Sequence, residues 1–343
     1  MKRLIDKYAL VLSMVIGAIG YRIFCTWSAA LSPMIALMLF FTFCKVDPKD
    51  LRLHSWHWLV LCAQLLLAVG TYYATAAICH AMGVDDSNTA ILSQGAMMCL
   101  IMPTATAAPI IAGKLGGSIQ NLTTFTLLSN FATAIVVPAF FPLVHPSGDM
   151  GFGTEMLMIL RRVSPLLIGP FLAAWLLRII YDNVQKHRGS DVRFHLSAFW
   201  AQMPFYLWAG TLIILMGNIT DMLLHGEYSG WIVPVLAVFS LIACLAQFGI
   251  GHLIGSRFPA GSRGKEYQDV VINPAAVPST MSGVSRLTAG QAMGQKNTTL
   301  GIWLCQAFLN PMSSIGAAFY IIWQNAYNQW QLYRAANYKS GGD

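Results

Sequence analysis

Apolar residues dominate nine stretches of the chain, and a tenth, shorter and more polar stretch directly precedes the last of them. A membrane-spanning helix needs about 17–25 predominantly apolar residues, and every stretch except the short, polar ninth meets this requirement. The pattern therefore predicts an all-α polytopic membrane protein with about ten transmembrane helices. The stretches are residues 8–24, 26–44, 57–82, 88–115, 118–144, 157–182, 199–224, 230–255, 286–297 and 298–328.

Composition leads to the same class. Hydrophobic residues make up 56% of the chain and charged residues 10%, and the mean hydropathy is +0.58. This proportion of polar side chains is too small to cover the surface of a soluble globular protein. We therefore expect the chain to lie in a lipid bilayer. Met1-Lys-Arg before an apolar core is typical of a secretory signal, but no small-x-small cleavage site follows, and we expect a retained first helix.

Basic residues are distributed unevenly between the two sides that ten spans define. With the N-terminus inside, 17 of the 21 lysines and arginines lie on the cytoplasmic side, and the outer side keeps Arg22, Arg161, Arg162 and Lys296. Such an excess marks cytoplasmic loops. We therefore expect a multi-pass protein of a cell membrane, such as a bacterial inner membrane, with both termini cytoplasmic. Loop charges account for the net charge of +7 without a nucleic-acid partner.

Two predicted spans are interrupted. The fourth contains Pro103-Thr-Ala-Thr-Ala-Ala-Pro109, in which each proline removes a backbone donor and disfavours helix just before it. The ninth contains Gly290, Gly294 and a cluster of amide side chains. Irregular backbone at membrane depth is tolerated where it is buried in protein or lines a cavity, and matched interruptions in two halves indicate a transporter's binding site. The alternative is that these are the prolines and glycines common in membrane helices.

The two interruptions occupy corresponding places in the two halves of the chain. Five spans precede residue 145 and five follow it, so the halves insert with opposite topology. Each interrupted span leads towards a final helix that opens with Asn121-Leu-Thr-Thr or Asn297-Thr-Thr-Leu. The pattern predicts two inverted five-helix repeats, 1–145 and 146–343, the second with a cytoplasmic insertion near 261–284.

One lysine lies within the second interruption. Lys296 directly precedes the apolar segment that begins at Leu300, and a charge in hydrocarbon costs about 2.5–3.5 kcal/mol on insertion scales. Such a residue marks a pathway or a ligand site, unless its amine snorkels to the interface. Helix N-terminal ends at such breaks suit a carboxylate or sulfonate, because they present unpaired N–H groups and a partial positive charge.

Several segments together resemble the bile acid:sodium symporter family. They are Pro103-x-x-Thr106 with Lys114, Gly117 and Val136-Val-Pro138, then Gly294-Gln-Lys-Asn297, Asn310-Pro311 and Ala318 to Asn325. The resemblance implies a panel domain of spans one, two, six and seven, and a core domain of spans three to five and eight to ten, in which broken helices four and nine cross. It also implies that Thr106 and Asn297 contact the substrate. Lys296 is a further candidate contact from its own charge, and the second-choice polar lining, which could instead make contacts between helices, is Gln291, Gln295, Thr298 and Asn121.

The chain departs from this family where its sodium-coupled members bind their ion. Ala292 occupies the position of a glutamate in those members, and Lys296 that of a glutamine. Ala108-Pro109 occupies the position of a Ser-Asn pair. These changes remove oxygen ligands that a hard cation needs. We therefore expect no metal and no cofactor, and hypothesise that the Lys296 ammonium replaces a sodium ion, either holding the crossover together or facing an anionic substrate. Because burial favours the neutral amine, proton coupling would then be open to this site.

The predicted function is secondary transport of a small organic anion by alternating access. An ordinary sodium-coupled symporter with relocated ion ligands and a non-transporting membrane sensor of the same fold are the alternatives. An enzyme is not expected, because the eight histidines are scattered and the chain has neither H-E-x-x-H nor G-x-S-x-G. The seven cysteines occur singly, as small buried hydrophobes do.

Overall fold

A computed structural model describes residues 2–47, 51–146, 151–188, 194, 196–226, 228–258 and 281–340. Over these residues the protein is helical, without a β-strand. Two 3₁₀ segments, Cys25–Ala30 and Pro311–Ser313, join neighbouring helices. The α-helices are α1 (Lys2–Ile19), α2 (Tyr21–Phe24), α3 (Leu31–Phe43), α4 (Ser55–Ala81), α5 (Asp86–Ile101), α6 (Ala108–Leu115), α7 (Ile119–Val144), α8 (Phe152–His187), α9 (Ala198–His225), α10 (Ile232–Arg257), α11 (Met281–Gly294), α12 (Thr298–Phe308) and α13 (Ser314–Ser340).

Within the described residues, six helices are long and apolar enough to cross a membrane by length and composition. This supports the predicted membrane protein. The six are Tyr21–Phe43, Ser55–Ala81, Ile119–Val144, Phe152–His187, Phe199–His225 and Ile232–Arg257.

The predicted tenth span, 298–328, is wrong as a single helix. Helix α12 ends at Phe308, Leu309 is extended, and a new helical segment begins at Pro311. Asn310 starts this segment, because its side-chain oxygen accepts a hydrogen bond from the Met312 N–H at 3.0 Å. The second interrupted helix therefore consists of α11 and α12. Asn121 and Asn297 were expected at the starts of corresponding final helices, but Asn297 precedes the second half of the broken helix, whereas Asn121 lies in α7. This correspondence is therefore wrong.

The chain divides into two compact units. The first comprises Met1–Lys49 and Ala134–Glu227, and the second comprises Asp50–Thr133 and Tyr228–Asp343. Helix α7 contributes residues to both units. The division does not test the panel and core domains or the repeats 1–145 and 146–343, which stay predictions.

The predicted insertion near 261–284 lies largely outside the described residues, which omit 259–280. Its last four residues, 281–284, form the first turn of α11. The insertion itself stays a prediction.

Candidate binding site at the interrupted helices

The two interruptions meet within the second unit. Thr104 lies between α5 and α6 and Lys296 between α11 and α12, and these two residues form an antiparallel β-bridge. The Ala105 N–H donates to the Gln295 carbonyl at 3.0 Å, and the Asn297 N–H donates to the Pro103 carbonyl at 2.8 Å. We call these paired segments, Met102–Ala107 and Gln295–Asn297, the crossing.

The first interruption follows from its prolines. Met102 takes an extended conformation (φ −51°, ψ 138°), as the residue before a proline must, and α5 ends there. Helix α6 resumes at Ala108 with Pro109 in its first turn, where a missing N–H leaves no helical bond unmade. Both predicted breaks, Pro103 and Pro109, therefore bound the interruption.

The second interruption begins after Gly294, closer to the C-terminus than the pair Gly290 and Gly294 predicts. Gly294 is the last residue of α11, but Gly290 is inside that helix, so its assignment as a break is wrong. A Cβ at Gly290 would collide with the His252 ring of α10, and a Cβ at Gly294 with the Phe248 ring. These glycines allow α10 and α11 to pack closely, as small residues do between membrane helices.

Asn297 ends the second interruption by capping α12. Its side-chain oxygen accepts a hydrogen bond from the Leu300 N–H at 3.2 Å, which satisfies one of the unpaired donors of the first turn. Thr298, the next residue, is buried as the first residue of α12. Thr298, a candidate substrate contact, therefore directly follows the crossing and begins α12.

Side chains outside the predicted set fix the first segment of the crossing. The Thr104 hydroxyl donates to the Ala292 carbonyl at 2.6 Å, and the Thr104 N–H donates to the Ser129 hydroxyl of α7 at 3.1 Å. The Gln64 amide of α4 donates to the Met102 carbonyl at 2.9 Å. Thr104 and not the predicted Thr106 therefore joins the two segments; Thr106 lies half-buried in the turn before α6.

A second set of contacts caps the carbonyl ends of α5 and α11. The Gln247 amide of α10 donates to the Cys99 carbonyl at 3.0 Å and to the Tyr320 hydroxyl at 2.9 Å. Tyr320 in turn donates to the Gly294 carbonyl at 2.8 Å. Neutral donors thus satisfy carbonyls at the ends of both half-helices, which carry partial negative charge.

Lys296 is held by its backbone while its side chain is left free. The Gln324 side chain of α13 accepts from the Lys296 N–H at 2.8 Å and donates to the Lys296 carbonyl at 3.2 Å. The residue is 1% exposed, and its amine, Nζ, is buried with no hydrogen-bond partner among the described residues. The amine therefore does not snorkel to an interface.

Asn297 contributes a second unpaired donor next to this lysine. Its Nδ2 atom is also buried without a hydrogen-bond partner in the described part of the chain, whereas its oxygen caps α12. Two adjacent residues of the crossing therefore present an amine and an amide N–H group without hydrogen-bond partners among the described residues. A buried donor without an acceptor costs about 1–3 kcal/mol, which favours a ligand that supplies acceptors.

The other predicted site residues serve different contacts. Gln295 donates to both Gln291 and Asn328, and Gln291 donates to Gln331, so this chain of amides joins α11 to α13. These two glutamines therefore make contacts between helices, the alternative already considered for them.

Asn121 lies in the first turn of α7. Its side-chain oxygen is 3.1 Å from His54 Nε2, and its N–H donates to the Ser118 hydroxyl at 3.2 Å. These contacts are with the segment before α4 and with the residue before α7, so the structure brings Asn121 to a histidine and not to Lys296.

Sequence reasoning missed Gln64, Gln247, Thr104, Tyr320 and Gln324. Gln64 and Gln247 had a usable signal, because each is a lone amide within a long apolar span. Such a side chain must find a partner inside the protein. Gln324 lay within the segment that carries the resemblance, but its contact with Lys296 depends on how α13 packs.

No family model matches this chain, and no curated protein matches it either. Among the described residues, no group of three or more histidine, cysteine, aspartate or glutamate side chains could hold a metal ion. The donors at the site are the Lys296 amine, the Asn297 amide N–H group and the N-terminal ends of α6 and α12.

Proposed function

We propose that this protein is a secondary transporter that binds a small organic anion at the crossing and moves it by alternating access. The observation that carries the proposal is the buried, unpartnered Lys296 amine at the point where two interrupted helices meet. An unpaired ammonium in a protein interior is strongly unfavourable, and an anionic ligand offsets that cost.

The described residues of the second unit offer no carboxylate close to Lys296 along the chain. Its described residues contain only Asp85 and Asp86 as acidic side chains, and both lie at the start of α5. The crossing follows the other end of this 16-residue helix, about 24 Å away at 1.5 Å per residue. The compensating charge is therefore expected from a ligand.

The neutral caps favour a substrate-facing lysine over a structural one. If the ammonium held the crossing together, it would donate to the carbonyls at the ends of α5 and α11. Gln64, Gln247 and Tyr320 already donate to carbonyls there, and the main-chain bridge joins the segments. The Lys296 side chain is consequently free to bind an anion, with Asn297 Nδ2 as its neighbour.

The proposed architecture is that of the bile acid:sodium symporter family, which the segments named above resemble. It comprises ten spans in two inverted repeats, 1–145 and 146–343, with a panel domain and a core domain that move against each other. The protein would lie in a cell membrane with both termini cytoplasmic, which the distribution of lysine and arginine supports.

Sodium coupling through relocated ligands is the second candidate. Gln64 Oε1 and Gln247 Oε1 are buried without hydrogen-bond partners among the described residues, and both amides border the end of α5. Amide oxygens are ligands that hard cations accept. A non-transporting sensor of the same fold would bind the anion and show no flux.

The test is thermal stabilisation of the purified protein by acetate, benzoate, cholate and taurocholate, each in sodium chloride and in potassium chloride. We expect stabilisation in both salts, lost in Lys296→Ala and kept in Lys114→Ala, a matched control because Lys114 is exposed. Stabilisation that requires sodium would select the second candidate. No stabilisation by any anion, or an effect that survives in Lys296→Ala, would contradict the proposal, and flux into proteoliposomes separates a carrier from a sensor.

A further inference from the structure

A second group of unpaired donors lies at the start of α4. Trp56 is 1% exposed and His57 is 0% exposed. Trp56 Nε1 and His57 Nε2 are both buried without a hydrogen-bond partner within the described residues. The two rings are in contact, with centroids 4.1 Å apart, and both lie against Phe125 of α7.

The local hydrogen bonds settle which form the neutral His57 ring takes. The His54 N–H donates to His57 Nδ1 at 3.1 Å, so Nδ1 is an acceptor and the ring hydrogen is on Nε2. An indole N–H is a donor only. The two unpaired atoms are therefore both donors, and their natural partner is an acceptor.

Two helices start beside this pair. His54, the N-cap of α4, is 3.1 Å from the Asn121 side chain in the first turn of α7, and the Arg52 N–H donates to the Thr124 hydroxyl at 3.2 Å. The Asn121 main chain lies near the His57 ring, in the first turn of α7. Both helix starts carry partial positive charge, which attracts anions.

The pair also belongs to the same core as the crossing. Trp56 packs in one buried cluster with Ala108, the first residue of α6, and with Ala292 and Met293 near the end of α11. Within the described residues of the second unit, the acidic side chains Asp85 and Asp86 lie at the other end of α4.

We propose that Trp56 and His57 form a second anion subsite between the crossing and the paired starts of α4 and α7. It takes a small monocarboxylate, whose oxygens accept from Trp56 Nε1 and His57 Nε2 while its apolar body lies against Phe125. As a station on the transport route the subsite rests on the proposed function, whereas its capacity to bind an anion does not.

The experiment is calorimetric titration of the purified full chain with benzoate. Trp56→Phe keeps an aromatic ring and removes the donor. His57→Asn keeps an acceptor for the His54 N–H, and its shorter side chain carries no donor to the position of Nε2. We expect two sites in the wild type and one in Lys296→Ala. We expect none when Lys296→Ala is combined with Trp56→Phe or His57→Asn. The control is Trp58→Phe, because Trp58 is 50% exposed on the same helix.

The outcomes separate this inference from the proposed function. A Lys296→Ala variant that binds no benzoate, or a residual site that survives both Trp56→Phe and His57→Asn, would overturn the second subsite. Equal stoichiometry in the wild type and in Lys296→Ala would instead contradict the site at the crossing. Loss of the residual site in Trp58→Phe would also overturn the subsite, because that change leaves both donors in place.

Discussion

The Gln324 side chain forms two hydrogen bonds with the backbone of Lys296, at 2.8 Å to its N–H and at 3.2 Å to its carbonyl. The β-bridge between Thr104 and Lys296 uses the neighbouring Gln295 carbonyl and Asn297 N–H. The N–H and carbonyl of Lys296 itself are bonded by Gln324, as a neighbouring β-strand would bond them. A single amide of α13 thus fixes the residue whose amine we assign to the anion.

Gln324→Met should therefore weaken both the fold and the site. The change keeps the length of the side chain but leaves the buried Lys296 N–H unpaired, at about 1–3 kcal/mol in soluble proteins and less in membranes. The Lys296 carbonyl loses one of two donors and keeps the Thr298 N–H at 2.9 Å. We expect a lower thermal midpoint and weaker stabilisation by the anion that the wild type binds. Gln331→Met is the control, because Gln331 contacts Gln291 and not the crossing. Equal effects of the two substitutions would argue against a special role for Gln324.

Substitutions at Thr104 and Thr106 should have different effects, the first on stability and the second on anion binding. Thr104→Val removes the hydroxyl that donates to Ala292, so it should destabilise the protein by about 1–2 kcal/mol. Thr106→Val changes a half-buried residue of the turn, so it should leave the thermal midpoint close to that of the wild type and reduce anion affinity. Thermal unfolding and anion titration of both variants check this pair. The assignment of Thr106 to the substrate fails if its affinity is that of the wild type.

Close packing of α10 on α11 gives another prediction. A Cβ at Gly251 would collide with the Ala289 carbonyl, whereas nothing lies within 4 Å of a Cβ at Gly249. Gly251→Ala should thus destabilise the protein by about 1–3 kcal/mol through overpacking. Gly249→Ala should be neutral, or stabilising by up to about 1 kcal/mol, because alanine favours helix. Thermal unfolding of the two variants in the same detergent is the measurement, and a destabilised Gly249→Ala would refute the packing explanation.

The sequence could predict the interruptions better than the contacts that stabilise them. The effect of Pro103 is local, because its ring constrains the backbone of Met102 whatever the surrounding fold. Lys296 could be singled out because it is a charged residue next to an apolar segment. Gly290 was misassigned because a glycine permits either a break or a close approach, and only the His252 ring decides between them. The end of α12 was missed because hydrophobicity continues through Leu309, while the break there depends on the Asn310 cap.

Lys296→Met should dissociate stability from function. Methionine fills a similar volume without a charge, and replacing a buried unpaired charge with an apolar side chain removes its desolvation cost. Because neutral donors cap the half-helices, the crossing does not need the ammonium. We therefore expect the thermal midpoint of Lys296→Met to equal or exceed that of the wild type.

The same variant should lose all stabilisation by the anion that protects the wild type through the crossing. Lys114→Met is the matched control, since Lys114 is exposed on α6 in the same unit. A marked drop in the midpoint of Lys296→Met, in the absence of any anion, would show that the lysine holds the crossing together. The ammonium would then act as the structural substitute for a bound cation, and the anion would have to be sought at other donors of the core.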